Sequence, residues 1–232
     1  MPKLVLFLLL AFTSAPLFAQ EKLPTVQASF YAFRYAPGLK TIYLRTGAES
    51  FEPTRLSTAN LIGPRKSVVT NGAITLHTME TTEDGTETYP VVGVAKLRGG
   101  ISKALIVLAP INKKDSKNKY QCLVIDHQAA KFPKGSYKMV NMSPHPIRGM
   151  IGKGTRFNCA SGKVATFKTK GTPGEALPVL FQYEKEDRWR TLTETRWAHT
   201  ENDRALLCAY LDTATKRMKL RSIPDNTRRQ AP

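Results

Sequence analysis

The residues best suited to binding chemistry are tryptophans that stand beside arginines near the C-terminal end of the chain. Arg188-Trp189-Arg190 is followed shortly afterwards by Arg196-Trp197. A guanidinium beside an indole can hold a sugar, an aromatic ring or a phosphate, because the cation stacks on rings and its N–H groups bind oxygen atoms. These five residues are therefore candidate binding residues. Strand alternation leaves another interpretation open, in which both tryptophans face a core and the arginines face water.

A second group of basic residues follows towards the C-terminus, and the chain as a whole is strongly cationic. Lys216, Arg217, Lys219 and Arg221 lie close together, and the formal net charge of the whole chain is +17 at pH 7. A field of this sign concentrates polyanions near the surface and is screened by salt. We expect the four residues to form an exposed basic strip that binds such a polyanion. The alternative interpretation is that the charge only maintains solubility.

Familiar signatures of catalysis and of metal binding are absent from the sequence. Neither a G-x-S-x-G elbow nor an H-E-x-x-H pair is present. The run from Gly149 to Thr155 is rich in glycine, but it lacks the Gly-Lys-Ser/Thr order of a phosphate loop. The histidines and cysteines lack the spacings typical of zinc ligands. We therefore predict a non-enzymatic protein without catalytic residues, metal ligands or a cofactor.

The first 19 residues predict export. Residues 1–19 carry one positive charge at Lys3, an apolar run from Leu4 to Phe12 and a small residue at Ala19. This order is typical of a cleaved secretory signal, and the apolar run falls short of the roughly 20 residues that span a bilayer. Its removal lowers the net charge only by the charge of Lys3. We expect a mature protein in the periplasm or outside the cell, with no transmembrane span.

The remaining sequence predicts strands only. Short apolar runs such as KTIYLR and KALIVLA alternate with turn residues, and Asn71-Gly72, Asp84-Gly85 and Ser161-Gly162 lie between such runs. No run has the length and period of a convincing helix. Many short strands without crossover helices indicate an all-β protein made of antiparallel sandwiches or barrels.

The two halves of the chain resemble each other in the order of their motifs. FYAFRYAP matches YKMVNMSP, NGAI matches SGKV, YPVV matches LPVL, KALI matches RALL, and NKYQCLVID matches KRMKLRSIPD. Five correspondences in one order predict two tandem copies of a small antiparallel β-sandwich. We place the copies at residues 20–128 and 129–232, with the boundary near His127 to Phe132. Whether Cys159 and Cys208, both in the second copy, form a disulfide is left undecided by the sequence.

A patterned corner follows the boundary. Asn141 precedes a turn in which Ser143, Pro144 and Pro146 stiffen the chain, and we predict a structural role for these four residues in the first hairpin of the second copy. The pattern P-x-G-x-Y-x-x-x-N-x-S resembles a motif of uncharacterised exported bacterial proteins built of small β-sandwich repeats. The resemblance covers residues 120–165 well and the first copy weakly. It implies the same fold and carries over no activity.

Taken together, these patterns predict an exported binding module or a structural module associated with the cell envelope. Its partner would be an anionic envelope polymer or lipid head groups, which an exported protein meets more readily than nucleic acid. The alternative is a hydrolase that acts on an envelope polymer, with its site between the two copies.

Overall fold

The computed structural model of the protein describes residues 23–111, 116–212 and 214–225. Every regular element in these ranges is a β-strand, so the predicted all-β class is confirmed. Within the same ranges there is no helix whose length and apolar character would let it cross a membrane. The predicted signal segment, residues 1–19, lies outside the described residues.

The N-terminal half, residues 23–126, contains ten strands. They are β1 (Thr25–Ala32), β2 (Thr41–Arg45), β3 (Phe51–Arg55), β4 (Ile62–Val68), β5 (Ala73–His77), β6 (Glu80–Thr81), β7 (Glu87–Thr88), β8 (Val91–Lys96), β9 (Lys103–Pro110) and β10 (Tyr120–Asp126). Eight of them form one sheet in the order β3-β2-β5-β8-β10-β9-β1-β4, and β6 pairs with β7. The β8–β10 join is a single bridge between Gly93 and Tyr120, so two groups of four strands are only weakly joined.

The C-terminal half, residues 136–225, contains eight strands in two separate sheets. They are β11 (Ser136–Asn141), β12 (Ile147–Ile151), β13 (Thr155–Cys159), β14 (Val164–Lys168), β15 (Ala176–Lys185), β16 (Arg188–Ala198), β17 (Arg204–Asp212) and β18 (Arg217–Asp225). One sheet has the order β14-β11-β17-β18 and the other the order β13-β12-β15-β16. The two sheets enclose an apolar core that includes Met139, Phe181 and Leu207.

The two halves have the same strand order. The group β4-β1-β9-β10 matches β14-β11-β17-β18, and β3-β2-β5-β8 matches β13-β12-β15-β16. The parallel pair of β1 with β9 recurs as β11 with β17, where Met139 takes the position of Phe30. Three of the sequence correspondences are displaced. FYAFRYAP and YKMVNMSP lie on matching strands but two residues out of register, since Phe30 matches Met139 and not Tyr137. The Ser161-Gly162 turn precedes β14 rather than the counterpart of β5, and Pro178 lies in β15 rather than before β16. Turn dipeptides recur at many hairpins and do not identify a particular strand.

A third apolar cluster joins the halves. Tyr31, Phe33 and Leu105 from the N-terminal half pack with residues that include Leu206 and Ile223 from the C-terminal half. The central strands β1, β9, β11 and β17 are therefore covered on both faces. This double burial explains why β9 and β17 have nearly continuous apolar sequences, since a strand buried on both faces cannot alternate with polar residues.

The corner after β11 carries the chain from one sheet to the other. Because β11 and β12 lie in different sheets, the prediction that they form a hairpin is wrong. The Asn141 amide donates to the carbonyl oxygens of His145 (2.7 Å) and Cys159 (3.0 Å) and accepts hydrogen bonds from the backbone N–H and hydroxyl of Ser143 (3.0 and 2.7 Å). The buried amide thus satisfies backbone groups that the corner leaves without sheet partners. Pro144 and Pro146 lie exposed in the same corner.

Candidate anion-binding face

The outer face of the sheet β13-β12-β15-β16 carries the residues that we consider for function. On β12, Ile147 and Ile151 are buried in the core, whereas Arg148 and Met150 between them are exposed. Strand pairing extends this outward row over four strands. We call it the arginine face and define it by Arg148, Met150, Arg156, Asn158, Pro178, Leu180, Gln182, Glu184, Trp189, Thr191, Glu194 and Arg196.

A bulge in β16 brings two of the predicted residues onto this face. Phe181 pairs with Thr193 and Gln182 with Thr191, so Leu192 is an extra residue in β16. An extra residue reverses the alternation beyond it. Trp189 and Arg196 consequently lie on the same side of the sheet, although simple alternation would place them on opposite sides.

The two tryptophans have different surroundings. Trp197 pairs with the buried Leu177, and its ring stacks on Tyr137 with 5.2 Å between ring centres and meets Phe181 edge-on at 5.5 Å. Trp189 lies instead beneath the guanidinium of Arg148, whose central carbon is 4.2 Å from the centre of the indole. The core interpretation therefore holds for Trp197 and fails for Trp189.

Two contacts within the protein fix the orientation of the Arg148 side chain. Its Nε donates a 2.8 Å hydrogen bond to the side-chain oxygen of Gln182, while the Trp189 ring supports the guanidinium from one side. An exposed cation–π contact contributes about 0.5–1 kcal/mol, which is enough to favour one orientation of a long side chain. The terminal nitrogens of Arg148 remain available to bind an anion.

Two adjoining hollows form a groove across the arginine face. The larger one has a volume of about 560 Å³ and is lined by residues that include Arg148, Arg156 and Asn158. The smaller one, about 360 Å³, reaches Arg196 and shares Met150 and Leu180 with the first. Together the hollows connect the three arginines across the shared side chains of Met150 and Leu180.

Gly149 fixes the sheet beneath this groove. A Cβ at this position would lie 2.2 Å from the Phe157 ring and 2.7 Å from the Phe181 ring, closer than real Cβ atoms approach other atoms. The glycine therefore lets two rings fill the core behind Arg148. Gly152, with φ of +57°, turns the chain between β12 and β13, so the glycines of this run serve a hairpin and not a phosphate loop.

The arginines of the face keep their charges free of salt bridges. Within the described ranges, no carboxylate lies within ion-pair distance of Arg148, Arg156 or Arg196. The face also carries Glu184 opposite Trp189 and Glu194 opposite Leu180, so positive charge is in modest excess. Arginines without carboxylate partners are suited to bind carboxylate or phosphate groups of a ligand.

The other predicted members of the Trp/Arg group lie away from this face. Arg188 and Arg190 are exposed on the opposite side of β16, and Arg190 pairs with Glu186 at 2.9 Å. Sequence reasoning missed Arg148 and Arg156. The alternation of apolar and polar residues along β12 and β13 indicates that both arginines face outwards. Nothing in the sequence shows that these strands lie in the same sheet as β15 and β16.

Only some residues of the second basic group are exposed and without a partner among the described residues. Lys216 and Arg217 are exposed at the β17–β18 hairpin, and Lys219 pairs with Asp212. The hydrogen bond from Lys219 is the largest cause that lowers the pKa of Asp212 to about 2. Arg221 donates a 2.7 Å hydrogen bond to the carbonyl oxygen of Phe33 in the other half and lies over its ring. The expectation of four freely exposed cations is therefore wrong for Arg221, because β18 turns it towards the junction between the halves.

A buried ionic cluster lies at the junction of the halves. Asp225 accepts hydrogen bonds from His127, at 2.7 Å, and from Arg204, and all three side chains are buried. Burial alone would raise the pKa of Asp225, but the hydrogen bonds and charges of His127 and Arg204 outweigh burial and lower the pKa below its ordinary value. The cluster connects the residue that follows β10 with β17 and β18 across the junction.

The groove between the halves has a mainly apolar lining. It has a volume of about 380 Å³ and is lined by residues that include Val107, Leu123, Val140 and Met142, with no carboxylate or imidazole among the described residues that line it. A glycoside hydrolase needs a pair of carboxyl groups at its site. The described residues that line this groove therefore do not supply the pair of carboxyl groups that a glycoside hydrolase uses.

The three cysteines are free thiols. Cys159 belongs to the core of the C-terminal half, whereas Cys208 lies in the cluster between the halves. Cys159 in β13 faces the core between the two C-terminal sheets, whereas Cys208 in β17 faces away from that core, so the disulfide left undecided by the sequence is not formed. Burial raises the pKa of Cys208 to about 12.

Comparisons with models of protein families and with curated proteins find no match to this chain. Within the described ranges, no group of three or more His, Cys, Asp or Glu side chains is placed to hold a metal ion. The chemistry of the arginine face is therefore the basis on which we infer a function.

Proposed function

We propose that this protein is an exported, non-enzymatic binding module that engages an anionic polymer of the cell envelope through the arginine face. The observation that carries the proposal is the groove that connects Arg148, Arg156 and Arg196, none of which has a salt-bridge partner in the described ranges. Guanidinium groups bind carboxylate and phosphate oxygens with two parallel hydrogen bonds. Three arginines along one groove, without salt-bridge partners among the described residues, are therefore suited to a chain-like anion.

The spacing of the arginines favours a polymer over a small ion. Arg156 and Arg196 lie on the two outer strands of a four-stranded sheet, so roughly 14 Å separates their strands at about 4.8 Å per strand spacing. A single small anion would contact both guanidinium groups only if the two side chains leaned towards each other across the sheet. A polymer with repeated anionic groups can contact both without such a change, and linked contacts strengthen one another.

We further propose that the chain carries an export signal at residues 1–19, followed by tandem β-sandwich copies at 20–128 and 129–232. The shared strand order of the halves supports the duplication, and the single bridge between β8 and β10 supports a sandwich-like N-terminal half. Mass spectrometry of the exported protein should find a mature start near Gln20. Full-length chain retained in the cytoplasm would contradict export.

The binding proposal is tested by retention of the purified mature protein on lipopolysaccharide, wall polymer, anionic lipid vesicles and DNA, at low and at near-physiological salt. We expect salt-sensitive binding that is strongest for an envelope polymer. The variant with Arg148→Gln, Arg156→Gln and Arg196→Gln should bind more weakly, with the slope of log affinity against log salt reduced by about three. A preference for vesicles or DNA would reassign the partner, and equal retention of the variant would refute the arginine face as the site.

The control variant removes three charges from the N-terminal half. Arg55→Gln, Lys66→Gln and Lys96→Gln change exposed residues of β3, β4 and β8 and match the loss of net charge. If only net charge matters, the control and the arginine-face variant will weaken binding equally. A third variant, Lys216→Gln with Arg217→Gln, tests the hairpin, where the sequence placed a second basic site.

A further inference from the structure

A second basic hollow lies at one end of the C-terminal half, outside the arginine face. It has a volume of about 410 Å³ and is built from three loops. One loop precedes β11, one follows β14 and one connects β16 to β17. We call it the lysine pocket and define it by Lys134, Gly135, Lys168, Thr169, Lys170, Gly171, His199, Thr200 and Glu201.

A fixed histidine lies at the wall of the lysine pocket. His199 and Thr169 are only 6% and 8% exposed, and the Thr169 hydroxyl lies 2.8 Å from Nδ1 of the imidazole. In the described part of the chain, Nε2 of His199 makes no hydrogen bond to another residue. The Thr169 bond fixes the orientation of the ring, so the second nitrogen is left for a ligand.

Gly171 lies in the loop beside this imidazole and the Glu175 side chain. A Cβ on Gly171 would lie 3.4 Å from Cγ of His199 and 2.9 Å from a carboxylate oxygen of Glu175. That Glu175 oxygen already accepts a 2.8 Å hydrogen bond from the backbone N–H of Thr172. The Glu175 carboxylate thus helps to shape the loop beside the pocket.

The charge of the pocket is positive. Lys134, Lys168 and Lys170 are exposed, and within the described ranges none of them forms an ion pair. Glu201 is the carboxylate among the lining residues. Three flexible ammonium groups around one fixed imidazole supply donors from several directions, which suits a compact ion with several oxygens.

We infer that the lysine pocket binds a dianionic phosphate group. Lysines supply point charges and are common phosphate ligands in proteins, and when the Thr169 hydroxyl donates to Nδ1, the Nε2–H of His199 would donate to a phosphate oxygen. The hollow is larger than one phosphate, so it accommodates either free phosphate or the phosphate of an ester with part of its attached group. The site is separate from the arginine face and does not depend on the function proposed for that face.

The test follows the imidazole signals of the purified mature protein by ¹⁵N NMR. Inorganic phosphate and glucose 1-phosphate are each added up to about 10 mM, which detects a Kd near 1 mM or tighter. Chloride and acetate are added at matched ionic strength. We expect saturable shifts of the His199 signals with both phosphates and none with chloride or acetate. His145, which lies beside Tyr183 elsewhere in this half, serves as the internal reference.

Variants separate the pocket from the rest of the surface. Lys168→Gln with Lys170→Gln should weaken phosphate binding by about tenfold, as expected for two lost charge contacts near the surface. Lys66→Gln with Lys96→Gln removes the same charge from the N-terminal half and should leave binding unchanged. Unaltered thermal melting shows that the variants are folded.

Each outcome decides the inference. Tighter binding of glucose 1-phosphate would identify an ester as the ligand, and tighter binding of inorganic phosphate would identify the free ion. Absence of saturable His199 shifts, equal shifts with acetate, or equal weakening by the control variant would overturn it. Loss of polymer binding in the Arg148/Arg156/Arg196 variant with retained phosphate binding would show that the two sites are independent.

Discussion

Corresponding outer faces of the two halves carry different chemistry. On β2, β3 and β5, Tyr43, Phe51 and His77 meet the nearby Tyr89 and form an aromatic cluster, in which Phe51 stacks on Tyr89 with 4.3 Å between ring centres. His77 is fixed by 2.7 and 2.8 Å hydrogen bonds with the Tyr89 carbonyl and the Thr75 hydroxyl. The matching face of the C-terminal half is an open groove lined by unpaired arginines. The same strand order thus supports a packed aromatic surface in one half and, in the other, the surface that we propose binds an anion, since function resides in side chains and not in the fold.

We expect the largest effect on stability from a substitution at the junction between the halves. Asp225→Asn leaves Arg204 buried without its carboxylate partner, and we expect a loss of about 3 kcal/mol in the free energy of unfolding. Chemical denaturation measures the loss. Because the arginine face lies on the opposite side of the C-terminal sandwich, polymer binding by the folded fraction should stay unchanged. Loss of binding in a folded variant would show that the junction controls the face.

The same carboxylate makes stability depend on pH. The pKa of Asp225 is lower in the folded than in the unfolded protein, where the ordinary value is 3.8. Its contribution to stability is therefore present above that value and is lost as pH falls through the lower, folded pKa. The difference in stability between wild type and Asp225→Asn should shrink below about pH 4. A difference that stays constant down to pH 2 would contradict the assigned charge of Asp225.

Gly149→Ala tests whether the core beneath the arginine face is as tight as the geometry indicates. The added methyl group meets two phenylalanine rings, and overpacking of this kind costs about 1–3 kcal/mol. We expect the upper part of that range in thermal or chemical unfolding. A neutral effect would mean that the Phe157 and Phe181 rings yield easily and do not hold β12 in place.

A pair of aromatic variants sharpens the contrast between the two faces. Phe51→Ala should lower stability by about 2 kcal/mol, because a partly buried stacked ring is lost, and should leave polymer binding unchanged. Trp189→Ala should lower stability by less than about 1 kcal/mol and weaken polymer binding about fivefold, because Arg148 loses its support. Unfolding curves and binding isotherms are measured for both variants. The opposite pattern would reverse the assignment of the two faces.

The smallest expected effect is tighter binding of the polymer when a negative charge is removed from the arginine face. Glu194 lies within the arginine face, so Glu194→Gln removes a negative charge that opposes an anionic ligand. We expect binding to tighten about threefold, in keeping with exposed charge interactions below 1 kcal/mol. Glu83→Gln, at an exposed turn in the N-terminal half, is the matched control. Equal gains in both variants would indicate a general effect of net charge.

The sequence predicted the class of the fold better than the position of the site. Alternating apolar residues and turn dipeptides such as Asn71-Gly72 depend on local backbone chemistry, which is why the all-β class could be recognised. The approach of Arg148 to Trp189 depends on which strands are neighbours and on an extra residue at Leu192. Neither property leaves a local signal. Arg221 was misjudged for a related reason, since its partner Phe33 is distant in the chain.

The central claim is that a polyanion lies on the arginine face and not elsewhere on a basic protein. Arginine footprinting with phenylglyoxal and mass spectrometry tests this directly in the wild-type protein, with and without the envelope polymer that binds it. Protection should appear at Arg148, Arg156 and Arg196. Arg55 on the matching sheet and Arg217 at the hairpin should react equally in both samples. Protection confined to Arg217, or spread evenly over all five arginines, would contradict the claim.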